Sequence, residues 1–332
     1  MRFAEKRAIM RHGESNGMIV VTGGAGFIGA NLVAALNARG ENEILIVDRA
    51  KRDSRNLSGL RFADYVSPDA FLGALGRDAA PAQIEAIYHQ GACADTTCDD
   101  DRCMAENNVA FPRAILNFAL LRKIPLVYAS SAAVYGGASA FAPVSDNERP
   151  LNLYASSKLE FDNHVRVAIG DAKSTVVGLR YFNVYGPREA HKGRMASMVY
   201  QLYRQLKADG RARLFKGTDR YGDGEQRRDF ISVDDVIRVN LEIGGGPVRR
   251  GIFNVGTGVT RTFNDVARAL IAVIGAGTIE YIPFPERLAG RYQNFTQADL
   301  SSLRAAGIDL KFASLEEGIS RAVTAWDREG TD

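Results

Sequence analysis

The chain predicts an α/β protein, a doubly wound parallel sheet followed by a smaller C-terminal α/β domain. Three observations support that class. Apolar strand-like runs alternate with helical apolar patterns through the first half, as βαβ units require. The first run passes directly into a glycine-rich turn and then into a helical pattern. The second run ends in a carboxylate, Asp48, about 20 residues beyond those glycines, a separation with structural meaning in open parallel sheets.

Taken in order, Met18–Thr22, Glu43–Val47, Ile84–Gln90 and Leu126–Ser130 read as buried parallel strands, because each is a short, nearly continuous apolar run. Ile28, Leu32, Val33 and Leu36 recur at helical spacing between the first two strands, and Ala114, Ile115, Phe118 and Leu121 do so before the fourth. Thr175–Leu179 is a further strand. The C-terminal part is less regular. It holds a Gly-, Arg- and Asp-rich loop from Gly217 to Arg228, an apolar run Phe230–Val233 and a helix from Asp234. A Pro-punctuated strand, Ile279–Phe284, and two short helices around Leu300–Ala306 and Leu315–Trp326 complete the chain. The expected organisation is an N-terminal extension over 1–17, a nucleotide-binding domain over 18–185 with segments near 230–260 returning to it, and a mainly substrate-binding domain over 186–326.

Composition narrows the function classes. The chain has 332 residues, 46% of them hydrophobic, which suffices for one large domain or a nucleotide domain with a smaller partner. The formal net charge of +3 is small and the basic residues are dispersed, so neither nucleic acid nor a membrane surface is an expected partner. No run of about 18 apolar residues is present, so no membrane span is expected. The 3 cysteines, Cys93, Cys98 and Cys103, are read as reduced thiols of a cytoplasmic protein. Their spacing does not match the usual zinc patterns and no histidine pair accompanies them, so no metal site is expected. In the basic leader, Arg11-His12-Gly13-Glu14 matches a histidine-phosphatase motif in letters only, since the strand follows it rather than preceding it. Met18 is the natural beginning of the fold.

The chemistry starts at Gly23-Gly24-Ala25-Gly26-Phe27-Ile28-Gly29. A glycine turn between a strand and a helix lets backbone N–H groups approach a pyrophosphate at the positive helix end. Gly23, Gly26 and Gly29 serve the tight turn, the close approach and the helix–strand packing. This is a Rossmann-like dinucleotide site. Further on, Ser131 follows a buried strand and faces the cofactor cleft beyond the strand's carboxyl end. Tyr154 and Lys158 lie four apart, on one face of a helix. A tyrosine titrates near 10 and is a poor base at neutral pH, but a nearby cation stabilises its phenolate. A serine beside the substrate oxygen hydrogen-bonds it as charge develops.

These residues resemble the extended short-chain dehydrogenase/reductase family of nucleotide-sugar epimerases. The glycine fingerprint, Ser131, Tyr154, Lys158 and Asn254-Val255-Gly256-Thr257-Gly258 all fit. Within that family the ADP-glyceromanno-heptose 6-epimerases are similar in finer motifs: His89-Gln90-Gly91-Ala92-Cys93, the stretch Arg180 to Glu189, His191-Lys192-Gly193, Arg228-Asp229-Phe230, Gly290-Arg291-Tyr292-Gln293 and Phe295 to Leu300. Dehydratases of the same fold carry an acidic pair after the strand hydroxyl, where Ala132 and Ala133 stand here, which argues against elimination. Alternatives are another nucleotide-sugar epimerase or dehydratase, or an NADP-sensing binding protein on this fold.

The resemblance implies inversion at C6 of an ADP-heptose through transient oxidation and re-reduction, supplying inner-core heptose for lipopolysaccharide. It implies Tyr154 and Lys192 as acid/base groups on opposite substrate faces, with Lys158 on the nicotinamide ribose and tuning Tyr154. It also implies a homo-oligomer, a pentamer. Cofactor contacts carry over to Phe27, Ile28, Gln90, Gly91, Ala92, Cys93, Ala94, Asn107 and Val184. Asp48 alone favours a ribose diol and NAD. Arg49, Lys51, Arg52 and Arg55 crowd the next stretch, and guanidinium groups suit a 2′-phosphate, so NADP is expected and NAD less so, with Asp48, Arg49 and Arg55 as its readers. A further family lysine falls near Pro68 and is missing. Substrate contacts carry over to Ser131, Asn183, Phe215, Lys216, Gly217, Thr218, Arg228 and Tyr292. Two substrate positions depart from the family pattern: Arg194 replaces a serine, and Gln201 replaces a histidine.

Overall fold

The computed structural model describes residues 17–77, 80–81, 83–96, 98–170, 172–217, 221–247, 249–285 and 293–330. The leader over 1–16, Thr218 and Tyr292 therefore lie outside the described residues.

A seven-stranded sheet organises the molecule. Its strands are β1 (Met18–Thr22), β2 (Ile44–Val47), β3 (Asp64–Val66), β4 (Ile84–His89), β5 (Leu126–Ser131), β6 (Val176–Tyr181) and β10 (Arg250–Val255), in spatial order β10-β6-β5-β4-β1-β2-β3. Every neighbouring pair is parallel. The chain winds outward in one direction from β1 to β3 and in the other from β4 to β10. The switch point falls between β1 and β4, where side chains and loops beyond the strand ends leave a crevice.

Strand alternation sends neighbouring side chains to opposite faces. Ile19, Val21, Ile44, Ile46 and Tyr88 enter one core, together with α1 (Phe27–Ala38) and α7 (Val233–Gly244). Val20, Leu45, Val47 and Ile87 enter the other, under α4 (Phe111–Arg122) and α5 (Leu153–Ala168). On α4 the buried stripe runs through Pro112, Ile115, Leu116 and Ala119. Leu121 lies off that stripe and is 80% exposed, so its assignment to the apolar face is corrected.

The C-terminal part is more regular than its sequence pattern suggests. The helices α6 (Met198–Asp209), α8 (Phe263–Ile274) and α10 (Leu315–Glu329) enclose a third core with β8 (Arg211–Phe215). Trp326 fills its centre, edge-on to Tyr200, and its indole N–H donates to the Gly186 carbonyl at 2.9 Å. The expected strand near Ile279 is β12 (Thr278–Ile282), which pairs in parallel with β8. A three-stranded sheet of β7 (Asn183–Tyr185), β9 (Arg227–Ser232) and β11 (Thr260–Thr262) bridges the two halves. The helix expected from Asp234 starts one residue earlier, with Ser232 as its N-cap.

Candidate active site

The glycine turn joins β1 to α1 with Gly23 at φ +66°, a conformation that suits glycine. A Cβ there would lie 2.6 Å from the backbone of Gly91, so the ends of β1 and β4 meet without side chains between them. A Cβ on Gly29 would lie 2.0 Å from the Gly23 carbonyl oxygen, so only glycine lets the helix seat this close to the turn. The N-cap of α1 is Gly26, and no side chain caps this end. Its backbone N–H groups and the helix dipole are thus directed at the space in front, which suits a diphosphate.

That space is a cavity of about 490 Å³ at the switch point. Gly23, Gly26, Phe27, Ile28 and Gly29 form its floor, and Asp48 and Arg49 line it from the end of β2. Gln90, Gly91, Ala92, Cys93 and Ala94 line it from the end of β4, with Asn107 beside them. The residues present fit a dinucleotide: a close glycine turn, an uncapped helix end and a charged adenosine side. Asp48 also does something the sequence did not reveal. Its carboxylate accepts the Ala25 N–H at 2.9 Å and the Ala50 N–H at 3.0 Å, clamping the glycine turn to the end of β2.

Ser131 ends β5, and Tyr154 and Lys158 lie on the first turns of α5. Asn152 caps that helix by accepting the Ala155 N–H at 2.8 Å, which sets its start and hence the direction of Tyr154. The Lys158 ammonium lies 6.0 Å from the Tyr154 ring centre and donates to the Ala129 carbonyl at 2.9 Å. Burial pushes the Tyr154 hydroxyl above its usual value, and the influence of Ser131 opposes the shift without cancelling it. Burial also lowers Lys158 to about 8, against the raising influence of Asp162. The group meets the cavity at Cys93, which lines it and interacts electrostatically with both Tyr154 and Lys158.

Beneath this trio runs a buried ionic network. Asp162, one turn beyond Lys158, accepts from Tyr128 and Ser130 at 2.9 Å each and pairs with Arg180 at 2.8 Å. Arg180 is fully buried and also pairs with Glu148, which Arg166 reaches from the surface side. Burial raises the Glu148 carboxyl, but its bonds to Arg166 and Arg180 outweigh that and hold it below the usual carboxylate range.

Lys192 sits in a short 3₁₀ segment, Ala190–Met195, after β7, and lines the same cavity. Its ammonium lies 5.3 Å from the centre of the Phe27 ring. Burial lowers its pKa, and Glu189 opposes the shift. Glu189 is itself fully buried and holds the segment in place, accepting from the Gly186 N–H at 3.0 Å and the Ser197 N–H at 2.6 Å. Burial raises its carboxyl to about 7. Asn56 staples this segment to the glycine turn: its amide donates to Ala25 at 3.0 Å and to Arg188 at 3.1 Å, and meets His191 at 3.0 Å.

The sequence model of the NAD dependent epimerase/dehydratase family matches residues 19–256. The chain belongs to the NAD dependent epimerase/dehydratase family. It is 52% identical over 310 residues to the ADP-L-glycero-D-manno-heptose-6-epimerase of Alkalilimnicola ehrlichii, covering 93% of this chain and 97% of that one. Its structure is similar to the Helicobacter pylori enzyme of the same name, at TM-score 0.80 and 32% identity over 93% of this chain and 96% of that one. It is also similar to a Thermus thermophilus UDP-glucose 4-epimerase solved with NAD, at TM-score 0.73 and 28% identity over 93% and 98% of the two chains.

Against the expectations for this epimerase/dehydratase family chain, one cofactor position needs correction. Arg55 is exposed and its guanidinium lies by Gly330, at the end of α10, because the 3₁₀ turn Arg55–Leu57 buries Asn56 and Leu57 and turns Arg55 outward. Val184, half-buried on β7, packs against the first core. Two substrate-side residues are occupied differently than expected. Gln201 donates to the Arg194 and Ala196 carbonyls at 2.9 and 3.0 Å, bracing the Lys192 segment from α6. Arg194 pairs with Asp95 at 3.2 Å, tying the same segment to the loop after β4. Arg228 is buried at 5.7 Å from the Phe263 ring centre. Asn183 meets Thr296 at 3.5 Å, Phe215 stacks edge-on with Phe284, and the Gly217 N–H donates to Asp223 at 2.8 Å. The Lys216 N–H donates to the Ile282 carbonyl at 2.8 Å, which makes it the end of the β8–β12 ladder.

Two positioning residues in this family member were not foreseen. Asn108 sits in a π turn, Ala105–Ala110, that runs into α4. Its side chain grips the Cys93 backbone at 2.8 and 3.0 Å and Ser157 at 3.0 Å, locking the cavity loop to α5. Asp229 accepts from Thr257, Gly258 and Ala298, joining the Arg228-Asp229-Phe230 and Asn254-to-Gly258 motifs that are far apart in the chain.

Proposed function

We propose that this chain interconverts ADP-D-glycero-β-D-manno-heptose and ADP-L-glycero-β-D-manno-heptose by transient oxidation and re-reduction at C6, with NADP held in the glycine-turn cavity. The observation that carries this reading is that Lys192, on the segment after β7, lines the cavity, while Tyr154 on α5 adjoins its wall through Cys93. The 52% identity to the Alkalilimnicola ehrlichii enzyme, named for this reaction, supports it.

A bound nicotinamide dinucleotide would supply the hydride acceptor and donor. The protein's own residues handle protons and orientation. Tyr154, backed by the Lys158 ammonium, moves the proton of the C6 hydroxyl on one face. Ser131 donates to the same oxygen and orients it. Lys192 serves the other face, and its burial brings its proton within easier reach than that of an exposed lysine. A ketone held in two orientations needs one such group on each side. Arg228, buried beside Phe263, suits the diphosphate.

The preference for NADP rests on Arg49. Both Asp48 oxygens already accept backbone N–H groups, which weakens Asp48 as a receiver for a ribose diol. Arg49 lines the cavity, and among the described residues the ion pair it makes is an exposed 3.7 Å contact to Asp69. Arg49→Ala is expected to weaken NADP binding by about 10-fold or more relative to NAD, the scale of one charge-assisted contact, while Arg55→Ala changes neither. Isothermal titration of the cofactor-stripped protein checks this. Equal losses for NAD and NADP would show that Arg49 does not read the 2′-phosphate.

The reaction itself is tested by proton NMR of the purified protein with ADP-D-glycero-β-D-manno-heptose and no added cofactor. The L-glycero epimer is the expected product. No conversion, even with added NADP⁺, would overturn the reading and direct the search to other nucleotide sugars, with Arg194 and Gln201 the first positions to revert.

A further inference from the structure

The loop after β4 and the start of α3 (Asp101–Met104) bring together side chains whose spacing gave no hint of it. The sulfur atoms of Cys93, Cys98 and Cys103 all lie within 4.8 Å of one another. We propose that these three thiols form a binding site for a soft, thiophilic cation of the zinc class at the wall of the cofactor cavity.

Geometry is the first argument. A cation held by thiolates at about 2.3 Å in tetrahedral directions sets the sulfurs about 3.8 Å apart. A triangle whose sides do not exceed 4.8 Å closes to that size with small side-chain rotations. Thiolates select soft cations over magnesium or calcium, so zinc, cadmium or copper(I) are the class to expect. Three sulfurs leave a fourth position for water, as in open rather than closed zinc sites.

The second argument is the support around the sulfurs. The Asn107 amide reaches the Cys103 sulfur at 3.5 Å and the Cys103 carbonyl at 2.8 Å. N–H donors to sulfur stabilise the thiolate form and orient it, which is the task of outer partners in metal sites. The backbones are anchored as well. Asn108 grips Cys93 on both sides, the Cys98 N–H donates to the Asp95 carbonyl at 3.2 Å, and the Cys103 N–H is capped by Asp100 at 3.0 Å. The site is thus held before any cation arrives.

Binding is ligand exchange without electron transfer. Three S–H bonds break, three metal–sulfur bonds form, and three protons leave to solvent or buffer. Cys93 and Cys103 line the dinucleotide cavity, so cation and cofactor share a wall and their affinities are linked.

The test uses cadmium as the spectroscopic probe on the reduced, cofactor-carrying protein. All 3 cysteines of the chain are in this cluster, so a thiolate-to-cadmium charge-transfer absorption reports on it alone. The expected result is an absorption that saturates at one equivalent, with zinc displacing cadmium competitively. Cys98 does not line the cavity, so Cys98→Ser is expected to keep its bound cofactor and its basal turnover. It should bind cadmium on the order of 100-fold more weakly, the upper end of the cost of losing even an outer partner. Absence of the absorption overturns the proposal, as does a titration that fails to saturate. A Cys98→Ser protein that titrates like the wild type overturns it too.

Discussion

Replacing Tyr154 by Phe together with Lys192 by Met is expected to abolish epimerisation while leaving the dinucleotide bound. Each change removes one acid/base group and keeps most of the side chain's bulk. A single positioned proton donor or acceptor contributes about 10²–10⁴-fold, so either variant alone should be crippled and the pair should fall below detection. Retention of the cofactor is expected because the cavity's floor is backbone: the glycine turn, the uncapped end of α1 and the Gly91 strand end remain. Lys192 contributes a side chain 5.3 Å from Phe27, so its loss should loosen the cavity wall without dismantling it. The check is a paired measurement, product by NMR and cofactor by absorbance after denaturation. Residual activity in the double variant would remove both residues from the acid/base roles. Loss of cofactor would place Lys192 in binding instead.

The second large effect is structural. Arg180→Met should destabilise the fold by about 3–5 kcal/mol, because it leaves the charges of Asp162 and Glu148 without their shared buried cation. That is a large part of the stability of an ordinary domain, about 5–15 kcal/mol. Arg166 still reaches Glu148 from the surface side, so the burden falls on Asp162, which is fully buried. Adding Asp162→Asn to Arg180→Met removes the stranded charge and should recover part of the loss. Denaturant midpoints of the single and double variants measure this. An unchanged midpoint for Arg180→Met would mean that the network contributes nothing net. The network also reaches the proposed acid/base group, since Asp162 raises the Lys158 pKa against burial. The double variant should therefore regain stability more fully than activity.

The readable parts of the site share one property: their geometry is local. Gly23, Gly26 and Gly29 lie within one strand–turn–helix, and Tyr154 and Lys158 share one helical turn. The periods of strand and helix carry those residues to one place whatever the rest of the chain does. The same periods identified β1, β2, β4, β5 and β6, with boundaries displaced by up to two residues, but not β3 or the largely buried β10. Periodicity was least informative after β7, where α6, α8 and β8 assemble a core whose apolar residues come from well-separated segments.

The unread parts depend on contacts across long stretches of chain. Asn56 meets Arg188 and His191, and Asp229 meets Thr257 and Ala298, so none of these pairs has a spacing to recognise. Arg55 shows the reverse error. Its charge and position in the sequence suggested a cofactor contact, but burial of its neighbours Asn56 and Leu57 turned it away.

The amino-acid order alone thus determined the doubly wound sheet, the glycine turn and the pairing of Tyr154 with Lys158 on one helix face, because each follows from backbone periods and residue types within a short segment. Tertiary structure alone decided that Asp48 clamps the glycine turn, that Glu189 and Asn56 hold Lys192 at the cavity, and that three cysteines five residues apart converge. The physical reason is that these side chains find their partners only after the sheet and its loops have brought distant segments within hydrogen-bonding reach.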